Sequence, residues 1–236
     1  MTKIIGITLC KNEDIYIEKA IEHTIDFCDE FIILDNHSTD NTWQILNKLK
    51  EKYSKISLEK WDKPMNSHIP IDKYIGEDCW VLGVDGDEIY DADGLKLFKQ
   101  QLLSGIYDEY FNIKGPTLHC FKNNNPIFEG YMDNVKSICK LYNFKILQDW
   151  SQNERLHGQQ PVFKTKPKQK TLNLHRDDWN NAAFRCLHMS FIPRSSQDNT
   201  EQDHLTRAGG NGVDIKNSRY KSSKPIKMKV DFYEKS

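Results

Sequence analysis

The chain has 236 residues and a mass of 27.7 kDa, with hydrophobic residues at 38% and charged residues at 28%. Its 33 basic and 34 acidic residues leave a formal charge of −1. That balance excludes a collagen, a low-complexity disordered chain, a disulfide mini-protein and a generally basic nucleic-acid binder.

No apolar run approaches the roughly 20 residues of a membrane span. The apolar start of the chain meets Lys11, Asn12, Glu13 and Asp14 where a secretory peptide would continue to a small-residue cleavage site. Six cysteines, at 10, 28, 79, 120, 139 and 186, form no Cys-x-x-Cys pair. They are expected to be reduced, mostly buried thiols of a cytoplasmic protein, one that can still sit peripherally on a membrane.

Lys3–Cys10 is a nearly continuous apolar run, which predicts a strand buried on both faces. Glu13–Phe27 spaces Ile17, Ala20, Ile21, Thr24 and Ile25 as a helix does, and Glu30–Leu34 is a second buried strand that ends at Asp35. Ser38 or Asp40 is placed to cap a helix carrying Trp43, Leu46, Leu49 and Tyr53. Ile56–Trp61 and Cys79–Val84 read as strands three and four, and Gly94–Leu103 as a helix. Strands alternating with helices predict an α/β fold with a mostly parallel central sheet and helices on both faces. Beyond about residue 106 the pattern loosens. Glu109–Cys120 and Val135–Tyr142 are expected strands, and Asp198–Ala208 an expected short helix. With no repeat and no separating linker, residues 1–236 are expected to form one domain.

In open parallel sheets, ligands gather at the carboxyl ends of the strands. Three polar clusters fall there: Lys11-Asn12-Glu13, Asp35-Asn36-His37-Ser38 and Asp85-Gly86-Asp87-Glu88. Carboxylates crowded after a buried strand repel one another unless a cation is present, and hard oxygen donors suit Mg²⁺ or Mn²⁺. An Asp-x-Asp turn alone is common on protein surfaces. Asp35 ends its strand at a cleft position, where a carboxylate can accept from a base or ribose. No Gly-x-Gly-x-x-Gly and no Walker loop follows the first strand.

Taken together, Ile5–Glu13, Asp29–Thr42 ("DEFIILDNHSTDNT") and Val84–Glu88 ("VDGDE") resemble glycosyltransferase family 2 proteins of the GT-A fold, in the family's order and spacing over residues 3–105. The resemblance implies a Rossmann-like domain with a nucleotide-sugar-binding half at 1–105 and an acceptor- and metal-completing half at 106–236. By matching position, Leu9, Lys11 and Glu13 would line the nucleoside and Asp35 would face the base. Asp85 would lie near the ribose or the metal, and Asp87 would be the main ligand of a Mn²⁺ or Mg²⁺ holding the diphosphate. Replacing Asp87 with alanine is expected to abolish transfer and leave the fold intact. His188, in Cys186–Ser195, is similar to a late histidine that completes the metal site, with His175 as its rival. Arg194 is placed to pair with a diphosphate oxygen.

The implied activity is inverting, metal-dependent transfer of a sugar from a nucleotide-diphosphate donor, most readily a UDP-sugar, to a glycan, lipid-linked or other hydroxyl acceptor. Inversion needs a carboxylate to take the acceptor proton. Asn153–Gly158 resembles the family's segment for that base, which makes Glu154 the first choice, with Asp133 and Glu129 as alternatives. The family's usual Glu-Asp pair is missing. Two other readings stand beside this one. A sugar-phosphate nucleotidyltransferase would carry a glycine-rich loop where Lys11-Asn12-Glu13 stands, and a non-catalytic nucleotide-sugar or glycan-binding module would keep the fold without the base.

Overall fold

A computed structural model describes residues 2–132, 140–150, 160–174, 178–198 and 224–234. The strands in chain order are β1 (Lys3–Cys10), β2 (Glu30–Asp35), β3 (Ile56–Lys60), β4 (Cys79–Gly83), β5 (Glu88–Tyr90), β6 (Tyr110–Lys114), β7 (Thr117–Asn124), β8 (Ile127–Met132), β9 (Lys140–Asn143), β10 (Leu147–Asp149), β11 (Val162–Phe163), β12 (Gln169–Asn173), β13 (Cys186–His188) and β14 (Ile226–Lys229). The α-helices are α1 (Ile17–Ile25), α2 (Thr42–Lys52) and α3 (Ala92–Leu103).

Two sheets organise these strands. The larger runs β12-β6-β9-β4-β1-β2-β3, and a five-stranded sheet runs β14-β8-β7-β13-β5. In the larger one β4, β1, β2 and β3 are parallel, as the alternating pattern predicts, while β9 enters antiparallel between β4 and β6. Strands from beyond residue 106 therefore complete the sheet that the first half begins. Alternate residues of β1 serve opposite cores: Ile4 joins one cluster, and Ile5 and Ile7 the other. That is why its sequence is apolar throughout.

The three described α-helices share one face of the larger sheet. Ile17 and Ile21 of α1, Leu46 and Leu49 of α2, and Leu95 and Phe98 of α3 all enter the same cluster, together with Leu118, Phe128 and Leu187 of the second sheet. The opposite face is closed by Ile71 from a 3-10 turn and by Phe144, Ile146, Leu147 and Trp150. Trp80 and Trp150 are buried in these two cores.

Local corrections follow the same physics. The predicted helix from Glu13 begins only at Ile17, because Glu13–Tyr16 forms a turn in which the Glu13 carbonyl accepts from both Tyr16 and Ile17. Asp40 accepts the Thr42 N–H at 2.9 Å, whereas Ser38 turns its hydroxyl to the Asn12 N–H at 3.0 Å. The single strand expected over Glu109–Cys120 is two strands, β6 and β7, in different sheets. Pro116 has no N–H to continue a ladder. Gly115 lies so close to the Phe184 carbonyl that a Cβ would meet its oxygen at 1.6 Å. Residues 199–208 of the expected short helix lie outside the described residues.

Among the described residues no helix is long and apolar enough to cross a membrane. The five cysteines among them are free and buried.

One buried histidine ties α1 to the site-bearing strand. His23, 2% exposed, holds the Tyr90 carbonyl of β5 through Nδ1 at 2.7 Å, and its Nε2 has no hydrogen-bond partner among the described residues. Burial pushes this imidazole below its ordinary 6.5, so it is neutral in the fold. The unfolded chain binds the proton more readily. The stability His23 contributes is thus fully present above about pH 6.5 and lost as pH falls through the lower folded value. His23→Asn keeps a donor at the Nδ1 position and should flatten the acid side of a melting-temperature profile relative to the wild type. Parallel profiles from pH 5 to 8 would show that His23 carries none of that dependence.

Candidate functional site

β4 belongs to the larger sheet and β5 to the smaller one, so residues 84–87 form the crossing between them. Val84 closes the crossing at one end by donating to the Ile7 carbonyl at 2.9 Å, and the Met189 N–H meets the Asp87 carbonyl at 3.0 Å at the other. The acidic cluster thus stands at the carboxyl ends of the parallel strands, with β13 beside it. In register, His188 faces Glu88 on one side and His119 on the other.

Asp87 is fully buried. Arg194 Nη1 lies 3.1 Å and His188 Nε2 3.4 Å from its Oδ2, while its Oδ1 is buried with no hydrogen-bond partner among the described residues. Burial alone would raise this carboxyl, but His188 and Arg194 outweigh it and hold Asp87 well below the usual carboxylate range. Burial likewise would lower His188, and the Asp87 charge raises it instead. Arg194 Nη1 also reaches Glu13 Oε1 at 3.4 Å. Replacing Asp87 with alanine would remove the carboxylate that His188 and Arg194 share and leave Arg194 with Glu13. Breaking a buried pair typically costs up to about 3–5 kcal/mol, which makes Asp87→Asn the gentler substitution.

A second ion pair lies beside the first. Lys140, at the start of β9 and opposite Gly83, contacts Asp85 Oδ2 and lies 3.8 Å from Glu88 Oε1. It is 5% exposed, and although burial alone would lower its pKa, Asp85 and Glu88 raise it. The surroundings of Asp85 would by themselves raise its carboxyl, and the Lys140 ammonium brings it below the ordinary value. Glu88 accepts from the Asp85 N–H at 3.1 Å and from the Tyr90 hydroxyl at 3.3 Å. Lys140 does not stand out in a reading by motif, and Glu88 enters one only as the last residue of the acidic run.

The donors present fit a divalent cation. Asp85, Glu88 and His188 each bring one ligating atom to within 4.8 Å of the others, and two carboxylates with an imidazole are a donor set that Mg²⁺ or Mn²⁺ accepts. The grouping contains Asp85 and His188 of the expected trio together with Glu88. Asp87, whose Oδ2 faces Arg194 and His188, lies next to it.

The other expected residues are distributed around this centre. Glu13 is buried against Arg194, Lys11 is exposed at the end of β1, and Leu9 packs partly buried against the second core. Asp35 is fully buried; its Oδ2 pairs with Lys60 at 2.5 Å and accepts from the Ser38 N–H at 3.1 Å. The Lys60 ammonium also lies 3.8 Å over the Trp43 ring. Asn12 and His37, just past β1 and β2, both take φ of 53°, the left-handed region in which non-glycine residues are uncommon. Glu129 sits on β8 between Lys122 at 3.5 Å and Lys227 at 3.6 Å. Glu154, Asp133 and His175 lie outside the described residues.

What delivers Arg194 is a latch across the sheet edge. Ser195 Oγ donates to Asp40 at 2.6 Å, the Ser196 N–H to Asp14 at 2.7 Å, and the Gln197 amide to the Thr39 carbonyl at 2.9 Å. Asp198 in turn accepts from the Arg194 and Ser195 N–H groups at 2.9 and 3.0 Å.

Gly86 shows how tightly this centre is filled, since a Cβ there would lie 1.8 Å from Glu13 Oε2 and 2.8 Å from Ile17 Cδ1. Gly86→Ala is expected to push Glu13 off Arg194 and cost about 1–3 kcal/mol, as overpacking typically does. A melting point within a degree of wild type would show that Glu13 moves aside freely.

The glycosyl transferase family 2 model matches residues 7–200. An uncharacterized glycosyltransferase of Rickettsia typhi is 33% identical over 88 residues, which are 37% of this chain and 29% of that protein. The crystal structure of S. aureus TarS aligns with a TM-score of 0.43 and 17% identity, covering 72% of this chain and 37% of that one. The mannosyltransferase PcManGT from Pyrobaculum calidifontis, solved with GDP-Man and Mn²⁺, aligns with a TM-score of 0.45 and 12% identity, covering 80% and 57%. The chain thus spans about a third of the length of the first two. With most of its residues matched by the family model, the chain belongs to glycosyl transferase family 2.

Proposed function

We propose that this chain transfers a sugar from a nucleoside-diphosphate donor to a hydroxyl acceptor, with inversion at the glycosidic carbon and with Mn²⁺ or Mg²⁺ at the acidic crossing. The observation that carries this is the buried Asp87, clamped by Arg194 and His188 at the carboxyl ends of the parallel strands, beside the Asp85–Glu88–His188 donor group.

In this reading Leu9, Lys11 and Glu13 border the nucleoside, and Asp35 reads the base as a hydrogen-bond acceptor. A fixed acceptor favours a base that presents an N–H, which suits the uracil of a UDP-sugar. Asp85 lies toward the ribose or the cation. Bound there, the cation supplies Lewis-acid stabilisation of the departing diphosphate. Arg194 adds a permanent positive charge on the same side, and its fork is suited to phosphate oxygens. Asp87 keeps that guanidinium in place, and the latch at 195–198 fixes the backbone that carries it.

On the opposite side of the sugar, a carboxylate must take the acceptor's hydroxyl proton as that oxygen attacks. Glu154 is the residue we assign, ahead of Asp133 and of Glu129, which is engaged with two lysines. The acceptor class is a glycan, a lipid-linked sugar or another hydroxyl. In architecture we read residues 1–236 as one domain, since strands from both halves share the larger sheet.

The test is a thermal-shift titration of UDP, GDP, TDP and CMP, with and without Mn²⁺, on wild type and Asp87→Asn. A ligand at a hundred times its dissociation constant stabilises the native state by about 2.7 kcal/mol. We expect a metal-dependent shift with one diphosphate, lost in Asp87→Asn. Wild type that ignores every nucleotide would overturn the donor site and leave a member of the family without transfer chemistry. Separately, Glu154→Gln should abolish turnover and keep the nucleotide shift. Unchanged turnover would move the base to another carboxylate.

A further inference from the structure

Lys140 is the feature of this site that the proposed chemistry leaves unused. It is an almost fully buried lysine whose ammonium contacts Asp85 and lies near Glu88, two of the three residues that would take a cation. Nothing about β9 as a strand calls for a lysine there. Its neighbour Leu141 is fully buried in the first core, and the position opposite Lys140 is Gly83. The side chain reaches along the end of β4 to the acidic crossing, and among the described residues its ion pairs are with Asp85 and Glu88.

We infer that Lys140 is the resident counter-ion of the crossing, and that it competes with the divalent cation for Asp85 and Glu88, making metal binding conditional on the arrival of a diphosphate. The inference rests on the proposed reading of the crossing as a cation site. It follows from charge and space. The carboxylates of Glu13, Asp85, Asp87 and Glu88 already face the ammonium of Lys140, the guanidinium of Arg194 and the imidazole of His188. A divalent ion entering this nearly balanced cluster must displace the ammonium from the two carboxylates, which leaves a buried cation without a partner. A diphosphate changes the balance, because its oxygens give the displaced ammonium a new anion. Metal and diphosphate then favour each other through one side chain, and the coupling is reciprocal.

Removing the ammonium should free the carboxylates for the metal alone. Isothermal titration of Mn²⁺ into the full chain, with no nucleotide, compares wild type with Lys140→Met. The expected result is at least tenfold tighter Mn²⁺ binding by the variant. A further expectation is that UDP or GDP tightens Mn²⁺ binding strongly in wild type and little in the variant. Lys140→Met leaves two acidic groups without their cation, so it is paired with a charge-balanced version. Mn²⁺ should bind Lys140→Met/Glu88→Gln more tightly than Glu88→Gln alone, and that comparison stands even where the single variant fails to fold. If wild type binds Mn²⁺ and removal of Lys140 does not tighten it in either background, the role assigned to Lys140 is overturned while the cation site stands. If no variant binds Mn²⁺, with or without UDP or GDP, the cation reading of the crossing is overturned and the inference falls with it.

Discussion

Asp87 has no exposed surface and still carries a charge, and the rest of the site is arranged around that constraint. A buried carboxylate is tolerated only when cations and hydrogen bonds replace the water it has lost. Here the replacements are Arg194 and His188, which come from the second half of the chain. His188 is brought by β13, whose register against β5 and β7 fixes the height of the imidazole. Arg194 follows on a latch of serines and amides fastened to Asp14, Thr39 and Asp40. The turns after β1 and β2 thus anchor the segment that neutralises the acidic crossing.

Such an arrangement gives little net stability. Ion pairs removed from water cost much of what they return, so their worth lies in fixing one geometry among several. Gly86 belongs to the same logic: a side chain there would have to share space with Glu13, and the crossing stays narrow because the residue has none.

The parallel half of the fold is legible in sequence because its strands are buried on both faces and leave uninterrupted apolar runs. β1, β2 and β4 fall where those runs do, and the polar residues that end them converge as expected. The second sheet is less legible. β5 has only three residues, and β6 and β7 form one apolar stretch whose division rests on Gly115 and Pro116. The helices read correctly as amphipathic, but no single stripe tells on which face of the sheet it will lie. All three described α-helices chose the same face because residues around Phe144 and Trp150 fill the other. In the site, Asp85, Asp87, His188 and Arg194 could be named from motif and position. Glu88 and Lys140 could not, since Glu88 reads as the tail of the acidic motif and Lys140 as an ordinary strand lysine. The signal that was available for Lys140 is a charged residue beside Leu141 and Tyr142 in a stretch otherwise suited to a core.

The order in which these charges occur along the chain has a consequence for synthesis. The carboxylates at 85, 87 and 88 leave the ribosome well before the cations at 140, 188 and 194. A domain generally folds as a unit, while synthesis delivers its N-terminal part first. A nascent chain that has completed β1 to β4 would hold an acidic crossing with none of these partners, and the native ladder around β4 cannot close until β9 arrives. Early strands can pair, but the crossing stays hydrated until late strands reach it. The electrostatic pairing that shapes the finished site thereby also ties maturation of the first half to delivery of the second.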